Sequence, residues 1–450
     1  MFAAKRLTSV LLALSLATTS FTPLYAAPRK APAAAAALTA AAPEAVGFSS
    51  ERLKRLDAAM AKTVADGEVV GMTTLLMRHG KTVAFNTYGE LAPGKPMSKD
   101  ALFRIYSMTK PITGVAMMIL FEEGKWRLDD PVTKFVPEFR DLKVMTGLGV
   151  NGQPILVPMK RPPTMREIMS HTAGLGYGLS DYHYVDKQFR DKQVLASQGL
   201  KQFIDRTATI PLMFQPGENW SYSVAVDVQG AIVERITGKT LGQFMAERIF
   251  TPLKMTDTFF QVPADKAARL GPVYVFDAQA GKLIEAKRLF GMADVPDYTK
   301  PPSMESGGGG LVSSTTDYAR FCAMLANGGQ LDGVRIISPS TVKLMGTNVI
   351  PRNVLVGTDG RGANAVQQFN ENVGFGLDFM VLNDAKKSGS LEGDGTMSWG
   401  GAAGTWFWVD PENDIVFVGM IQRFAGAPTA LNVSGVSRTM VYSALVDPAK

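Results

Sequence analysis

An α+β fold is what this 450-residue chain predicts, and three observations carry the expectation. Two β-rich runs around a tight turn lie near the N-terminus, two more lie near the C-terminus, and the stretch between them has helical spacing. A sheet assembled from both chain ends, interrupted by a mostly helical insertion, is the economical architecture for that order. The expected units are a discontinuous α/β part, residues 44–106 and 301–450, and a mostly helical part, residues 107–300.

The elements follow in chain order. "MFAAKR" carries two positive charges, "LTSVLLALSLATTSF" is apolar and "TPLYAAP" ends in small residues, which is the layout of a secretory signal peptide over residues 1–26, cleaved after Ala26. Residues 27–43, "APRKAPAAAAALTAAAP", are Ala/Pro-rich and predict a disordered leader. Leu53, Leu56, Met60 and Val64 then recur at helical spacing, closing near Gly67. "VVGMTTLLM" and "KTVAFNTYG", joined through Arg78-His79-Gly80, predict a hairpin. "SMTKPITGVAMMILFEEG" predicts a helix opening at Ser107 and ending at Gly124, and "WSYSVAVDVQGAIVERITG" an alternating start that becomes a helix ending at Gly238. "GTWFWVD", the turn "DPEND" and "IVFVGMIQ" predict the second hairpin, and "VSGVSRTMVYSALV" a closing helix.

Composition narrows the function classes. Apolar residues at 46% and charged residues at 20% describe an ordinary globular protein, and no apolar run after the N-terminus reaches the ~18 residues of a membrane span. The net charge of +6 falls to +4 without Lys5 and Arg6 of the signal. Basic and acidic residues are interspersed, which speaks against a nucleic-acid partner. Cys322 is the only cysteine, so no internal disulfide forms, which suits a bacterial periplasm or exterior.

Common motifs do not apply. "GLGVNG" matches a dinucleotide glycine pattern, but the extended run "QPILVP" follows where a helix is required, so it reads as a turn. His79, His171 and His183 lack metal-ligand spacing, and neither a metal nor a cofactor is expected. The nearest approach to the G-x-S-x-G elbow is "TMSWG" around Ser398, with threonine for the first glycine. His171, in "HTAGLGYG", reads as a loop-shaping residue rather than a base, which leaves serine activation to another group.

"SMTK" offers one. Residues three apart share a helix face, so Lys110 would stand beside the Ser107 hydroxyl, with Pro111 in the tolerant first turn. Backbone N–H groups at that helix start would face the reacting atoms. Spacing alone does not decide, because Ser340 and Lys343 repeat it where Ser338-Pro339 reads as a solvated helix start. Tyr222, in "PGENWSYS", fits either a proton shuttle or an aromatic core residue. The glycines of "MSWGGAAGTWFWVD" fit a strand that another backbone or a ligand approaches closely. In "GYGLSDYHYVDKQF", Tyr177, Tyr182, His183 and Tyr184 read equally as pocket lining or as loop packing.

Taken in order, "SMTK", "LDDPVTKFVPEF", "TMREIMSHTAGL", "QPGENWSYS", "GAIVERITGKTLGQFMAERIFTPLKMTDT", "GGGGLVSSTTDYARFCAMLANGG" and "WGGAAGTWFWVDPENDIVFVGMI" resemble the serine β-lactamase and penicillin-binding-protein superfamily, in its class C-like branch, over nearly all of residues 44–446. The resemblance implies a β-lactamase/transpeptidase-like α+β fold, an antiparallel sheet flanked by helices beside a helical domain, with the active site between them. It implies Ser107 as nucleophile, Lys110 and Tyr222 as its catalytic partners, and the backbone N–H groups of Ser107 and Ala402 as an oxyanion hole.

Two departures set the expected substrate. Val224 stands where the superfamily has an asparagine that holds a lactam's amide side chain, and Trp399, heading Trp399-Gly400-Gly401, replaces a cation that holds the lactam carboxylate. That variant looks like the family VIII carboxylesterases. The expected activity is cleavage of small, fairly apolar esters through an acyl-enzyme, with Trp399, Gly400, Gly401, Val224 and Tyr177 at the substrate. A class C-like β-lactamase or D-aminoacyl peptidase is the alternative, and an inactive member that binds cell-wall peptides a third reading.

Overall fold

A computed structural model describes residues 38–180, 183–289, 293–350, 354–356, 369–424 and 432–448. The expected signal peptide and most of the expected leader lie outside these residues. The described end of the leader, residues 38–43, departs from the disorder expected of it: the Thr82 N–H donates to Thr39 O (2.7 Å) and the Ala41 N–H to Thr82 O (2.9 Å). Those residues run alongside the first hairpin because its second strand offers unpaired backbone groups there.

Eight strands form one antiparallel sheet: β1 (Gly71–Arg78), β2 (Lys81–Ala92), β3 (Lys95–Pro96), β4 (Val373–Phe375), β5 (Met380–Leu382), β6 (Met397–Gly400), β7 (Trp406–Asp410) and β8 (Ile415–Ile421). Their order, β4-β5-β6-β7-β8-β1-β2-β3, joins the two chain ends where β8 pairs with β1, Val418 opposite Leu75. Both expected hairpins are present, with register Arg78 opposite Lys81 and Asp410 opposite Ile415.

Alternation along the strands decides what each face covers. Met72, Leu76, Trp406, Trp408, Ile415 and Phe417 pack with helices α1 (Ser50–Ala65) and, near the C-terminus, Val433–Ala444. Leu75, Met77, Phe407, Val409, Val416 and Val418 face the opposite way and share one continuous apolar core with the helical insertion. Strand sequences apolar on both faces, such as "IVFVGMI", fit this two-sided burial.

Three more helices place the site: α2 (Thr109–Glu122), α3 (Ala225–Thr237) and α4 (Thr315–Ala326). Helix α2 is buried from Thr109 to Leu120, as its apolar run "ITGVAMMIL" requires, and ends before Gly124 at φ +71°. Ser314 caps α4 by accepting the Asp317 N–H (3.2 Å). The other Ser-x-x-Lys lies on the helix Pro339–Met345, where Ser338 caps the Thr341 N–H and both Ser340 and Lys343 are exposed. The "GLGVNG" stretch is the turn of a hairpin, Lys143–Leu148 with Pro154–Pro158. Among the described residues no helix is long and apolar enough to cross a membrane.

Candidate active site

Ser107 stands where an extended segment turns into α2. The segment Leu102–Arg104 pairs with Val312–Ser314, and the Ile105 N–H donates to Leu311 O (3.1 Å), so the incoming chain is held on one side. Tyr106 then takes a left-handed φ of +41°, a conformation that a residue with a bulky side chain keeps only where its surroundings over-determine it. Its ring is wedged between Tyr298 and Phe424, with centroids 6.5 and 5.7 Å away. The helix therefore does not open at Ser107 as its spacing predicts. Ser107 occupies a 3-10 turn, Tyr106–Met108, and α2 begins at Thr109, because the sharp entry leaves no room for a regular first turn.

Lys110, in the first turn of α2, is buried, and its Nζ donates to Ser107 Oγ (3.2 Å), Tyr177 Oη (3.3 Å) and Gly308 O (2.6 Å). Tyr222 arrives from the loop before α3. His171 anchors that loop twice: its carbonyl accepts the Ser221 N–H (3.0 Å) and its Nδ1 accepts the Ser223 N–H (3.2 Å). The Tyr222 hydroxyl then donates to Ser107 Oγ at 2.7 Å. Its ring lies stacked on Tyr177 (5.2 Å, 18°), with the Lys110 ammonium 4.5 Å from its centre.

Trp399 reaches Tyr222 from the end of β6. Its indole Nε1 donates to Tyr222 Oη at 3.4 Å, and its ring lies 5.5 Å from the Tyr222 ring. Gly400 and Gly401 continue from it, and the Gly401 N–H donates to Thr405 O (2.7 Å). A Cβ on Gly401 would run into the Ile105 carbonyl and Thr405 Oγ1, so the end of β6 touches the backbone that leads into Ser107. Ala402 follows in the same turn and packs against a small cluster with Tyr106, Ala403 and Phe424. The close approach expected of the glycine strand is thus made to backbone.

The structure brings together Ser107, Lys110, Tyr222, Tyr177, Trp399, Gly400, Gly401 and Ala402, and leaves Val224 out. Val224 was expected at the substrate, but its side chain is fully buried. Its N–H donates to Gly176 O (3.0 Å) as it leads into α3, which turns the isopropyl group into the core. The stretch "GYGLSDYHYVDKQF", read as pocket lining or loop packing, is partly helical: His183 caps the helix Tyr184–Asp191 through Nδ1, accepting the Val185 N–H (3.2 Å). Tyr182 lies outside the described residues.

Electrostatics favour a charged lysine. Burial works against the Lys110 ammonium, but the oxygens of Tyr177 and Tyr222, then the Asp227 carboxylate, outweigh it and hold the group above the ordinary lysine range. Burial, with the Lys110 charge beside it, pushes His171 well below the usual imidazole range and keeps it neutral. Burial likewise pushes up the Tyr177 phenol and the Asp227 and Asp378 carboxyls. Among the described residues no group of three or more His, Cys, Asp or Glu could hold a metal ion.

Sequence reasoning missed Asp227, Gly308, Trp220 and Phe375. The Asp227 Oδ1 accepts from Ser306 Oγ (2.5 Å) and from the Gly308 N–H (3.1 Å). Trp220 and Phe375 lie 5.7 and 5.4 Å from the His171 ring and enclose it. A buried acid five residues after Tyr222 and a run of four glycines, Gly307–Gly310, were the available signals, and neither names its partner.

A half-buried serine whose hydroxyl is bonded at once to a lysine and a tyrosine is equipped for acyl transfer. Comparison with known proteins agrees. The family model described as Beta-lactamase matches residues 56–433. The chain is 37% identical over 79% of its length to "Protein Rv1367c" of Mycobacterium tuberculosis (strain ATCC 25618 / H37Rv), covering 86% of that protein. It is 31% identical over 83% of its length to "Esterase EstB" of Burkholderia gladioli, covering 92% of that protein. Among solved structures, "EstCE1, a hydrolase with promiscuous acyltransferase activity" superimposes with a TM-score of 0.70 at 25% identity, covering 87% of this chain and 98% of the other. The fold, the ordered motifs and this match over most of the chain place the protein in the β-lactamase family, beside members that act as esterases.

Proposed function

We infer that the protein is a serine carboxylesterase that cleaves small, fairly apolar esters through an acyl-enzyme on Ser107. The observation that carries the reading is the single point at which Ser107 Oγ meets both Tyr222 Oη (2.7 Å) and Lys110 Nζ (3.2 Å). In the reactive form the Lys110–Tyr222 pair holds one proton fewer than when fully protonated. Ser107 Oγ gives its proton to Tyr222 Oη as it attacks the ester carbonyl, and the charged Lys110 offsets the local negative charge. The same proton passes to the departing alcohol. Water, deprotonated by the same pair, then releases the acid and restores Ser107. The backbone N–H groups of Ser107 and Ala402 stabilise the oxyanion in both steps.

Ester preference is supported by Trp399, which fills the wall beside Tyr222 with an indole rather than a cation. A free lactam carboxylate finds no partner there, whereas an uncharged ester loses nothing. Export to the periplasm or exterior belongs to the same reading and is supported by the charge–apolar–small order of residues 1–26. The test compares kcat/KM for p-nitrophenyl esters of increasing acyl length with that for nitrocefin. Short esters should be the better substrates, and efficient nitrocefin turnover with negligible ester cleavage overturns the assignment.

A further inference from the structure

The glycine run Gly307–Gly310 and the buried Asp227 carry no role in the reaction just described, yet they meet at Lys110. One peptide joins them: the Gly308 carbonyl accepts Lys110 Nζ at 2.6 Å, and the Gly308 N–H donates to Asp227 Oδ1 at 3.1 Å. The fit is close. A Cβ on Gly308 would lie 2.6 Å from Asp227 Oδ2, and one on Gly307 would lie 2.6 Å from Val226 O, so the run presses its bare backbone onto the start of α3. Ser306 Oγ donates to the same Asp227 Oδ1 at 2.5 Å, a second donor on that oxygen.

We propose that Asp227 is a positioning residue: by holding the Gly308 peptide it aims the Gly308 carbonyl at Lys110 Nζ, and so keeps the lysine directed at Ser107. The proposal rests on the serine-hydrolase reading above. Lys110 has three donors and a flexible stem, so without a fixed acceptor its head is free to turn from Ser107. Gly308 O is its nearest acceptor, at 2.6 Å against 3.2 Å for Ser107 Oγ and 3.3 Å for Tyr177 Oη. The Asp227 Oδ2 atom has no hydrogen-bond partner among the described residues, so the Ser306 and Gly308 contacts that hold the carboxyl both fall on Oδ1. The other titratable groups around Lys110 are Tyr177, Tyr222, His171 and Asp378; the last packs against Gly114, one turn further along α2, with its Oδ1 accepting from Gln229 Nε2 (3.1 Å).

Asp227→Ala and Asp227→Asn separate geometry from charge, because asparagine keeps an oxygen for the Gly308 N–H and loses only the charge. With p-nitrophenyl butyrate and kcat expressed per fluorophosphonate-labelled site, Asp227→Ala is expected to lose about 100-fold in kcat with KM within about threefold. Asp227→Asn is expected to recover about tenfold of that loss. Its alkaline limb in kcat/KM should also move to lower pH by about one unit, since Lys110 gives up its proton more readily without the neighbouring carboxylate. A folded Asp227→Ala with kcat within about twofold of wild type overturns the proposal. Where Asp227→Ala does not fold, an Asp227→Asn enzyme with unchanged kcat and unchanged pH profile overturns it. A wild-type chain that neither cleaves esters nor takes the probe overturns the hydrolase reading as well, whereas an active wild type beside an unaffected variant removes only the role of Asp227.

Discussion

Tyr222 Oη lies 2.7 Å from Ser107 Oγ although 115 residues separate the two in the chain. The hydroxyl pair joins the loop before α3 to the turn before α2, and the proposed chemistry depends on it. Ser107→Ala should keep the fold and lower p-nitrophenyl butyrate turnover by at least about a thousandfold. Tyr222→Phe should cost about 10²–10⁴-fold in kcat with little change in unfolding temperature, because only the hydroxyl goes. Retained turnover in pure Ser107→Ala protein would remove Ser107 as the nucleophile.

Gly401→Ala tests how closely β6 is set against the nucleophile's turn. The added methyl group would collide with the Ile105 carbonyl, two residues before Ser107, and with Thr405 Oγ1. At Gly400 the nearest atom is Thr405 O, 3.2 Å away, so Gly400→Ala is the milder change. The expected result is a loss of about 100-fold in kcat for Gly401→Ala and less than about tenfold for Gly400→Ala. Equal effects from the two would show that the strand end is not what aligns the oxyanion donors.

His171 gives a prediction about stability. It holds a left-handed φ of +59° and anchors residues 221–223 through its carbonyl and Nδ1. His171→Ala deletes a buried acceptor and opens a cavity among Trp220, Tyr222 and Phe375. Together these should destabilise the fold by about 2–4 kcal/mol. His171→Asn, which tolerates the left-handed region and offers a side-chain oxygen, should recover part of that in denaturant titrations. An Ala variant as stable as wild type would contradict the anchoring role.

Asp317 makes stability depend on pH. It is fully buried at the start of α4, and burial pushes its carboxyl up to about 7 from 3.8. The folded state therefore holds a proton that the unfolded state has lost between those values, so stability is present below about pH 4 and is lost as pH rises to 7, by on the order of 4 kcal/mol in total. Asp317→Asn keeps an oxygen for the Asp257 N–H (2.6 Å) and Thr258 Oγ1 (2.9 Å) contacts but has no charge to bury. Calorimetry should find that the variant melts increasingly above the wild type between about pH 4 and pH 7. A constant difference across that range would place the carboxyl in its ordinary range.

Much of the framework was legible because local patterns determine it. The β-rich runs "TTLLM" and "FWVD", turn residues at His79-Gly80 and 411–414, and the apolar run after Lys110 each specify an element with little help from outside. The junction at Ser107 was not legible. Its spacing asked for a helix start, but the pairing of Leu102–Arg104 with Val312–Ser314 and the wedge of Tyr298 and Phe424 around Tyr106 impose a 3-10 turn instead. Val224 was read as a cleft residue by its place in a motif, and only packing shows that it faces the core.

By itself, then, the amino-acid sequence determined the α+β class, the two hairpins, the main helices and the presence of Ser107, Lys110 and Tyr222 in an order that resembles one superfamily. The tertiary structure alone decided which atoms meet: that Lys110 points at Gly308 as well as Ser107, that Tyr177 stacks on Tyr222, that Trp399 reaches Tyr222 Oη, and that Asp227 lies behind them. The physical reason is range. Propensity, capping and alternation act within a few residues, whereas each of these contacts joins segments dozens to hundreds of residues apart, brought together by the burial of α2 against α3 in the shared apolar core.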